Sequence, residues 1–344
     1  VWRQDTRRAA EPKSRLSRRG LRWALEGIVV QHLTIARVAE GLDVAWNTAN
    51  DAVLAEGQRV LIDNPARFDG VKVVGVDEHC WRHTRKGDKF VTVIIDLTGV
   101  RDRTGPARLL DMVEGRSKQV FATWFGERDQ AWRDAIEIVA MDGFTGFKTA
   151  AADKLPDAVE VMDPFHVVQL AGDALDRSRQ RVQQETLGHR GRAGDPLYGA
   201  RRTLHTGHAL LTDKQQARLD TLFAVDDHAV VEATWGVYQH IVDAYRDPDP
   251  AAGRRAPQKV INAISHGVPA SLAELRTLGR TLKRRAGDIL AYFNPGTSNG
   301  PTETINGRLE HLRGSALGFR NLTNYIARSP LETGGSRPHL HPGL

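Results

Sequence analysis

Three acidic side chains carry the chemistry that this sequence is equipped to do. Asp77 follows the apolar run Val71–Val76, Asp142 follows Ile136–Met141, and Glu303 stands in Asn299-Gly300-Pro301-Thr302-Glu303. The first two end strand-like runs, where a sheet presents them at its rim. The third opens a helix. Carboxylates suit hard cations, and magnesium binds through one or two of them plus substrate phosphate oxygens. Two such ions about 3.5–4 Å apart activate an attacking oxygen and steady the leaving one in phosphodiester chemistry. In that layout Asp77 bridges, and Asp142 and Glu303 flank. The spacings are 65 and 161 residues, so folding has to bring the three together. Each is a weak signal alone, because Asp at a strand end commonly serves a turn and Glu in a first helical turn commonly serves the helix terminus.

Glu78, Asp163, His166 and Asn306 are the expected supporting residues. Asp163-Pro164-Phe165-His166 ends an apolar run, and its Asp and His are able to brace a neighbouring metal site through hydrogen bonds. Glu78 and His79 flank Asp77, but side chains alternate along a strand, so at most one of them shares the site. Other chemistries find little footing. The 13 histidines form no HExxH or paired spacing, so zinc is not expected. Cys80 is the sole cysteine and has no triad around it; burial beside its strand is expected. No GxxxxGK[ST] run occurs. No serine or tyrosine nucleophile context appears, so no covalent protein–DNA intermediate is expected.

The elements that must position these residues begin with composition. A chain of 344 residues suggests two or three domains. No apolar run approaches a membrane span, and no signal-peptide pattern follows the basic start. A lone cysteine fits a reducing cytoplasm. The chain starts at Val1 rather than Met, so the true N-terminus is expected upstream. Residues 1–23 hold eight basic and two acidic side chains and so carry the whole net charge of +6. That arm reads as a phosphate-contacting tail.

Residues 24–66 read as a helix-turn-helix domain. Ala39 is small where two helices would cross, Gly41 turns the chain and Val44 plugs the core. The second helix, from about Ala45 to Leu54, puts Trp46, Asn47 and Asn50 towards a major groove, with Arg37 beside them. An ordinary three-helix bundle is the competing reading. From 67 to 163 the order is three strands, helix, strand, helix, strand, the opening order of a ribonuclease-H-like α/β fold. Residues 164–297 read as an all-helical insertion, with breaks at Gly188–Gly194, Asp247–Gly253 and Gly267–Pro269. Residues 298–330 return to the core with the helix of Glu303, and 331–344 form a flexible tail. Within the insertion, Arg177, Arg181, Arg201, Arg202, Arg280 and Arg284 are expected to track phosphates, although a solvated helix face explains any one of them as well. Trp235 is far more suited to packing than to stacking on a flipped base.

At this point the chain resembles a known family. Gly75-Val76-Asp77-Glu78, Met141-Asp142-Gly143, Asp163-Pro164-Phe165-His166, the run Ser298–Gly307 and Leu317-Gly318-Phe319-Arg320-Asn321 are similar to the bacterial insertion-sequence transposases of the ISL3 family. The resemblance spans about residues 14–330. It implies a DDE transposase with a ribonuclease-H-like core split before its last catalytic residue. Asp77, Asp142 and Glu303 carry over as catalytic and metal-binding residues, while Asp163 and His166 match an Asp-x-x-His motif that is structural in such enzymes. It implies two Mg²⁺ ions, with Mn²⁺ able to substitute, double-stranded DNA as the partner, and a homodimer or larger assembly holding two ends. The family's N-terminal cysteine-rich zinc module is expected to be missing or truncated here. Two rivals stay open: a nuclease or resolvase on the same fold, and a helix-turn-helix regulator without catalysis.

Overall fold

A computed structural model describes residues 8–83, 89–294, 297–336 and 340. The connection expected at Arg82–Lys89 and the tail expected at 331–344 lie partly outside these, as do Arg3 and Arg7 of the basic arm. The chain forms two compact units. One comprises Val1–Val139, Phe144–Ala158 and Asn299–Leu344; the other comprises Ala140–Gly143 and Val159–Ser298.

The first unit begins with three helices, α1 (Arg18–Val29), α2 (Ile35–Leu42) and α3 (Trp46–Gly57). Ser17 and Thr34 cap the first two, each side-chain oxygen accepting from a backbone N–H three residues on. Ala24, Leu25, Ile28 and Val29 recur at helical spacing and face Val38, Ala49 and Val53 in a dry core. α1 starts within the basic segment of residues 1–23. The turn between α2 and α3 departs from expectation. Gly41 lies within α2, and the left-handed residue is Asp43, at φ 51°. Gly41 is small for another reason: a Cβ there would meet the Trp23 ring at 2.6 Å.

A five-stranded sheet follows, in the order β3-β2-β1-β4-β5. β1 (Val73–Cys80) pairs antiparallel with β2 (Phe90–Asp96). After the short α4 (Thr98–Arg101), β3 (Arg108–Glu114) pairs antiparallel with β2. Then come α5 (Lys118–Gly126), α6 (Gln130–Asp134), β4 (Ile138–Met141), α7 (Thr145–Lys154) and β5 (Val159–Met162). At their first residues β1 and β4 meet, where the N–H groups of Glu137 and Ile138 donate to the Lys72 carbonyl. β1 and β2 are buried almost throughout, as strands covered on both faces must be. The strand expected to end at Val76 runs on to Cys80, because β2 continues the ladder as far as Phe90 opposite Cys80. Asp77 therefore lies within a strand, opposite Val93, and not at its end.

The second unit is helical beyond β5. α8 (Pro164–Leu187) ends on Gly188 at φ 73°, followed by the short α9 (Pro196–Gly199) and α10 (Arg201–Leu204). α11 (Asp213–Phe223) carries a capping box between Thr212 and Gln215. α12 (Ala229–Arg246), α13 (Pro250–Ser265), α14 (Ala273–Arg284) and α15 (Ala286–Ala291) complete it. The break expected over Asp247–Gly253 is shorter than that. Asp249 caps α13 through the Ala251 N–H at 2.9 Å, with Pro250 in the first turn, so Gly253 is helical. A Cβ on Gly253 would meet the Ala244 carbonyl oxygen and the Phe293 ring, both at 2.9 Å, so the glycine serves close packing. Trp235 packs on the helical core beside Phe223.

The chain then returns to the first unit through α16 (Gly300–Ser315) and α17 (Leu322–Thr333). The tail expected from residue 331 is helical up to Thr333. Leu331 joins the core of the N-terminal three helices.

Candidate active site

In the first unit the candidate site is built where α16 meets β1. Asp77 is 7% exposed. A buried carboxylate is costly unless hydrogen-bonded. Here one oxygen accepts from the Glu78 N–H at 2.8 Å and the other from Asn306 Nδ2 at 2.9 Å. Asn306 presents its other amide atom, Oδ1, buried and without a hydrogen-bond partner among the described residues. Glu303 lies three residues before Asn306, so the two share a face of α16, about 4.5 Å apart along its axis. Glu303 is exposed. The N-terminus of α16 is pinned to β1 by Asn299, whose Nδ2 donates to the Val76 carbonyl at 3.1 Å and whose Oδ1 accepts from Thr302 at 2.6 Å.

His79 and Asp77 are two residues apart on β1 and point to the same side. His79 Nε2 meets the Tyr325 hydroxyl at 2.8 Å, and that hydroxyl donates to the Leu309 carbonyl. Burial first, then Arg313 and His83, lower the imidazole pKa to about 4, so the ring is neutral at physiological pH. Its role is to hold α17 against the strand. Glu78 points the other way, as the pleat requires, and its carboxylate is held by Arg116 at 2.7 Å. The expectation that Glu78 supports the site is thus corrected: only its backbone N–H reaches Asp77. Cys80 is half-buried, near the Arg82 carbonyl.

In the second unit Asp142 follows β4, and Asp163 stands between β5 and α8. Both are buried, at 8% and 4% exposed. The Asp163 N–H donates to the Met141 carbonyl at 2.9 Å, which joins the ends of the two strands. His166 lies in the first turn of α8, and a ring nitrogen of it and a carboxylate oxygen of Asp142 are within 4.8 Å. Each offers one ligand atom to a cation. A residue not singled out from the sequence joins them. Arg285 follows the exposed Arg280 and Arg284, yet it is 5% exposed, and its Nη1 donates to the Gly143 carbonyl at 3.2 Å. Tyr245 lies in this region with a buried hydroxyl, its pKa raised by burial first and then by Tyr292 and Asp163.

The expected DNA-facing residues divide. Trp46 is 49% exposed at the start of α3, and Asn47 is exposed beside it. Asn50 is buried, with its amide on Asp51, because it falls on the inward face of α3 next to Ala49. That expectation is corrected. Arg37 is exposed and paired with Glu40 at 3.0 Å. Arg177, Arg202, Arg280 and Arg284 are exposed. Arg201 lies over the Tyr198 ring at 4.2 Å. Arg181 is not a free phosphate contact: Glu274 takes it at 2.8 Å, Glu185 at 3.0 Å, and it donates to the Ser271 carbonyl at 2.7 Å. It ties α8 to α14.

That tie has a pH signature. Its hydrogen bond to Arg181 holds the Glu274 carboxyl below the usual carboxylate range. A depressed carboxylate contributes stability above its unfolded pKa and loses it as pH falls through the folded one. Glu274→Gln is therefore expected to lower stability by about 1 kcal/mol at pH 7, with the arginine partly exposed and the pair discounted for solvent. The deficit should shrink as pH drops below about 4.5. Urea unfolding midpoints of both proteins at pH 7 and pH 3.5 check it; an equal gap at both contradicts an ionic tie.

Comparison with known proteins agrees with the residue pattern. A family model described as a transposase, of the ISL3 type of DDE enzymes, matches residues 74–329. The transposase for insertion sequence element IS1557 of Mycobacterium tuberculosis, in strains CDC 1551 / Oshkosh and ATCC 25618 / H37Rv, is 27% identical over 336 residues, 89% of this chain and 71% of the relative. The transposase for insertion sequence element IS1001 of Bordetella parapertussis is 23% identical over 295 residues, 85% of this chain and 68% of the relative.

Proposed function

Because the chain belongs to the ISL3-type DDE transposase family, we propose that it cleaves DNA at insertion-sequence ends and joins the released 3′-hydroxyl to target DNA, with Asp77, Asp142 and Glu303 as the divalent-cation ligands. The observation that carries this reading is the sheet order. β1 and β4 are neighbours; β1 carries Asp77, and β4 leads directly into Asp142. Asn306 bonds to Asp77 and follows Glu303 by three residues on α16, which supports Glu303 as the third ligand. The donors are carboxylate oxygens for the most part, which suits Mg²⁺ or Mn²⁺. Such a pair of ions, when bound, supplies charge for the attacking and leaving oxygens of an in-line displacement.

The chain's own residues do the rest. Asn306 fixes one oxygen of Asp77, and its own Oδ1 has no partner among the described residues. Asp163 and His166 brace the turn that bears Asp142. The core is ribonuclease-H-like, with the helical unit inserted before Glu303. The three N-terminal helices act as a helix-turn-helix in which Trp46 and Asn47 meet DNA, and Arg177, Arg202, Arg280 and Arg284 follow its phosphates. Two ends require at least a dimer. No helix among the described residues is long and apolar enough to cross a membrane.

The test is a duplex carrying the element's terminal repeat. Wild-type protein is expected to nick it with Mg²⁺ or Mn²⁺ and to stop with EDTA. Sequence-specific binding of the duplex without nicking under any divalent metal would favour the regulator instead.

A further inference from the structure

We propose that Arg285 is a positioning residue for Asp142, holding the backbone that carries that carboxylate in the geometry that receives a divalent cation. The inference rests on the reading of Asp142 as a metal ligand. Arg285 stands between α14 and α15 and is fixed by a buried ion pair, its Nε donating to Asp288 Oδ2 at 2.6 Å. From that anchor Nη1 reaches the Gly143 carbonyl at 3.2 Å. Gly143 immediately follows Asp142, and glycine is the residue with the most backbone freedom. Fixing its carbonyl restricts ψ of Gly143, one of the soft torsions next to the residue that bears the carboxylate. A tether there limits how far that carboxylate can drift.

Stability does not account for the arrangement. Buried ion pairs often stabilise no more than apolar residues of the same volume. Moreover, Nη2 of Arg285 is buried with no partner among the described residues, which is a further cost. What the pair does secure is a single guanidinium placement under the Asp142–Gly143 turn. Arg276, Arg280 and Arg284, four residues apart on α14, stay exposed, so Arg285 alone of that run turns inward.

Calorimetric titration of the full chain with Mn²⁺, without DNA, tests this. Arg285→Lys keeps the charge but cannot span Asp288 and Gly143 together. Mn²⁺ affinity is expected to fall about 10- to 100-fold, as for other residues that orient metal ligands. The half-saturating Mn²⁺ for nicking should rise by the same factor, while the rate at saturating Mn²⁺ stays within a few-fold of wild type. A lower thermal midpoint with Mn²⁺ affinity within twofold of wild type overturns the proposal, leaving Arg285 a buttress only. If Arg285→Lys does not fold, Asp288→Asn takes its place, since it loosens the anchor and keeps an acceptor; at least a threefold loss of Mn²⁺ affinity is expected, and no change overturns the proposal. A wild-type chain that binds no Mn²⁺, or an Asp142→Ala variant that still binds it, sinks the metal reading and this inference with it. Binding lost in Asp142→Ala but intact in Arg285→Lys sinks this inference alone.

Discussion

Asp142→Asn is expected to lower the rate of end cleavage by at least about 1,000-fold while leaving the fold intact. The amide has the shape of the carboxylate but not its charge. A ligand charge lost beside a divalent cation removes several kcal/mol of transition-state stabilisation, and about 4 kcal/mol corresponds to ~1,000-fold in rate. The amide also keeps the volume of the buried side chain, so the fold should persist. Asp77→Asn should lose cleavage in the same way. Single-turnover nicking of an end duplex measures the loss, and melting in EDTA checks that each variant folds. A variant that cleaves within tenfold of wild type removes Asp142 from the chemistry.

Gly75→Ala is expected to cost about 100-fold in cleavage through geometry alone. Gly75 is two residues before Asp77, where α16 closes on β1. An added Cβ would lie 2.8 Å from Asn299 Oδ1 and 2.9 Å from Leu97 Cδ1. Leu97 is buried and has little room, so Asn299 must move, and it is the residue that ties α16 to the Val76 carbonyl. Backing α16 away stretches the Asn306–Asp77 bond and carries Glu303 with it. A displacement of about 1 Å at a reacting site is enough for a 100-fold loss, and the overpacking itself costs about 1–3 kcal/mol. The signature is a fall in kcat with DNA affinity unchanged, since the clash involves Asn299 and Leu97 and none of the residues proposed to meet DNA. Unchanged cleavage would mean that α16 does not set the site.

Local signals in the chain carried much of this organisation: the strand and helix order over 67–163 and the helical run over 164–297 both follow the apolar pattern. What resisted reading was whatever a distant partner decides. β1 runs past its apolar stretch because β2 lies beside it. Gly253 looked like a helix breaker until Phe293 and Ala244 were seen to require a hydrogen there. Asn50 and Arg285 carry polar and basic side chains that solvent normally claims, and only tertiary packing turned them inward. For Arg285 one signal was available: Asp288 one helical turn on is the partner a buried arginine needs. The meeting of Asp77 and Asn306 spans 229 residues, and no periodicity reports such a distance. Only the resemblance of the motifs to a known family pointed to it.

That separation also sets an order in time. Ribosomes add about 5–20 residues per second. Asp77 therefore leaves the ribosome about 10 to 50 s before the helix that holds it. The N-terminal three helices wait as well, since Leu331 of α17 fills part of their core. A nascent chain that stops short of α16 thus has Asp77 on an uncovered strand and an open bundle. Competence arrives only when α16 and α17 have been made and have folded back onto β1 and the three helices.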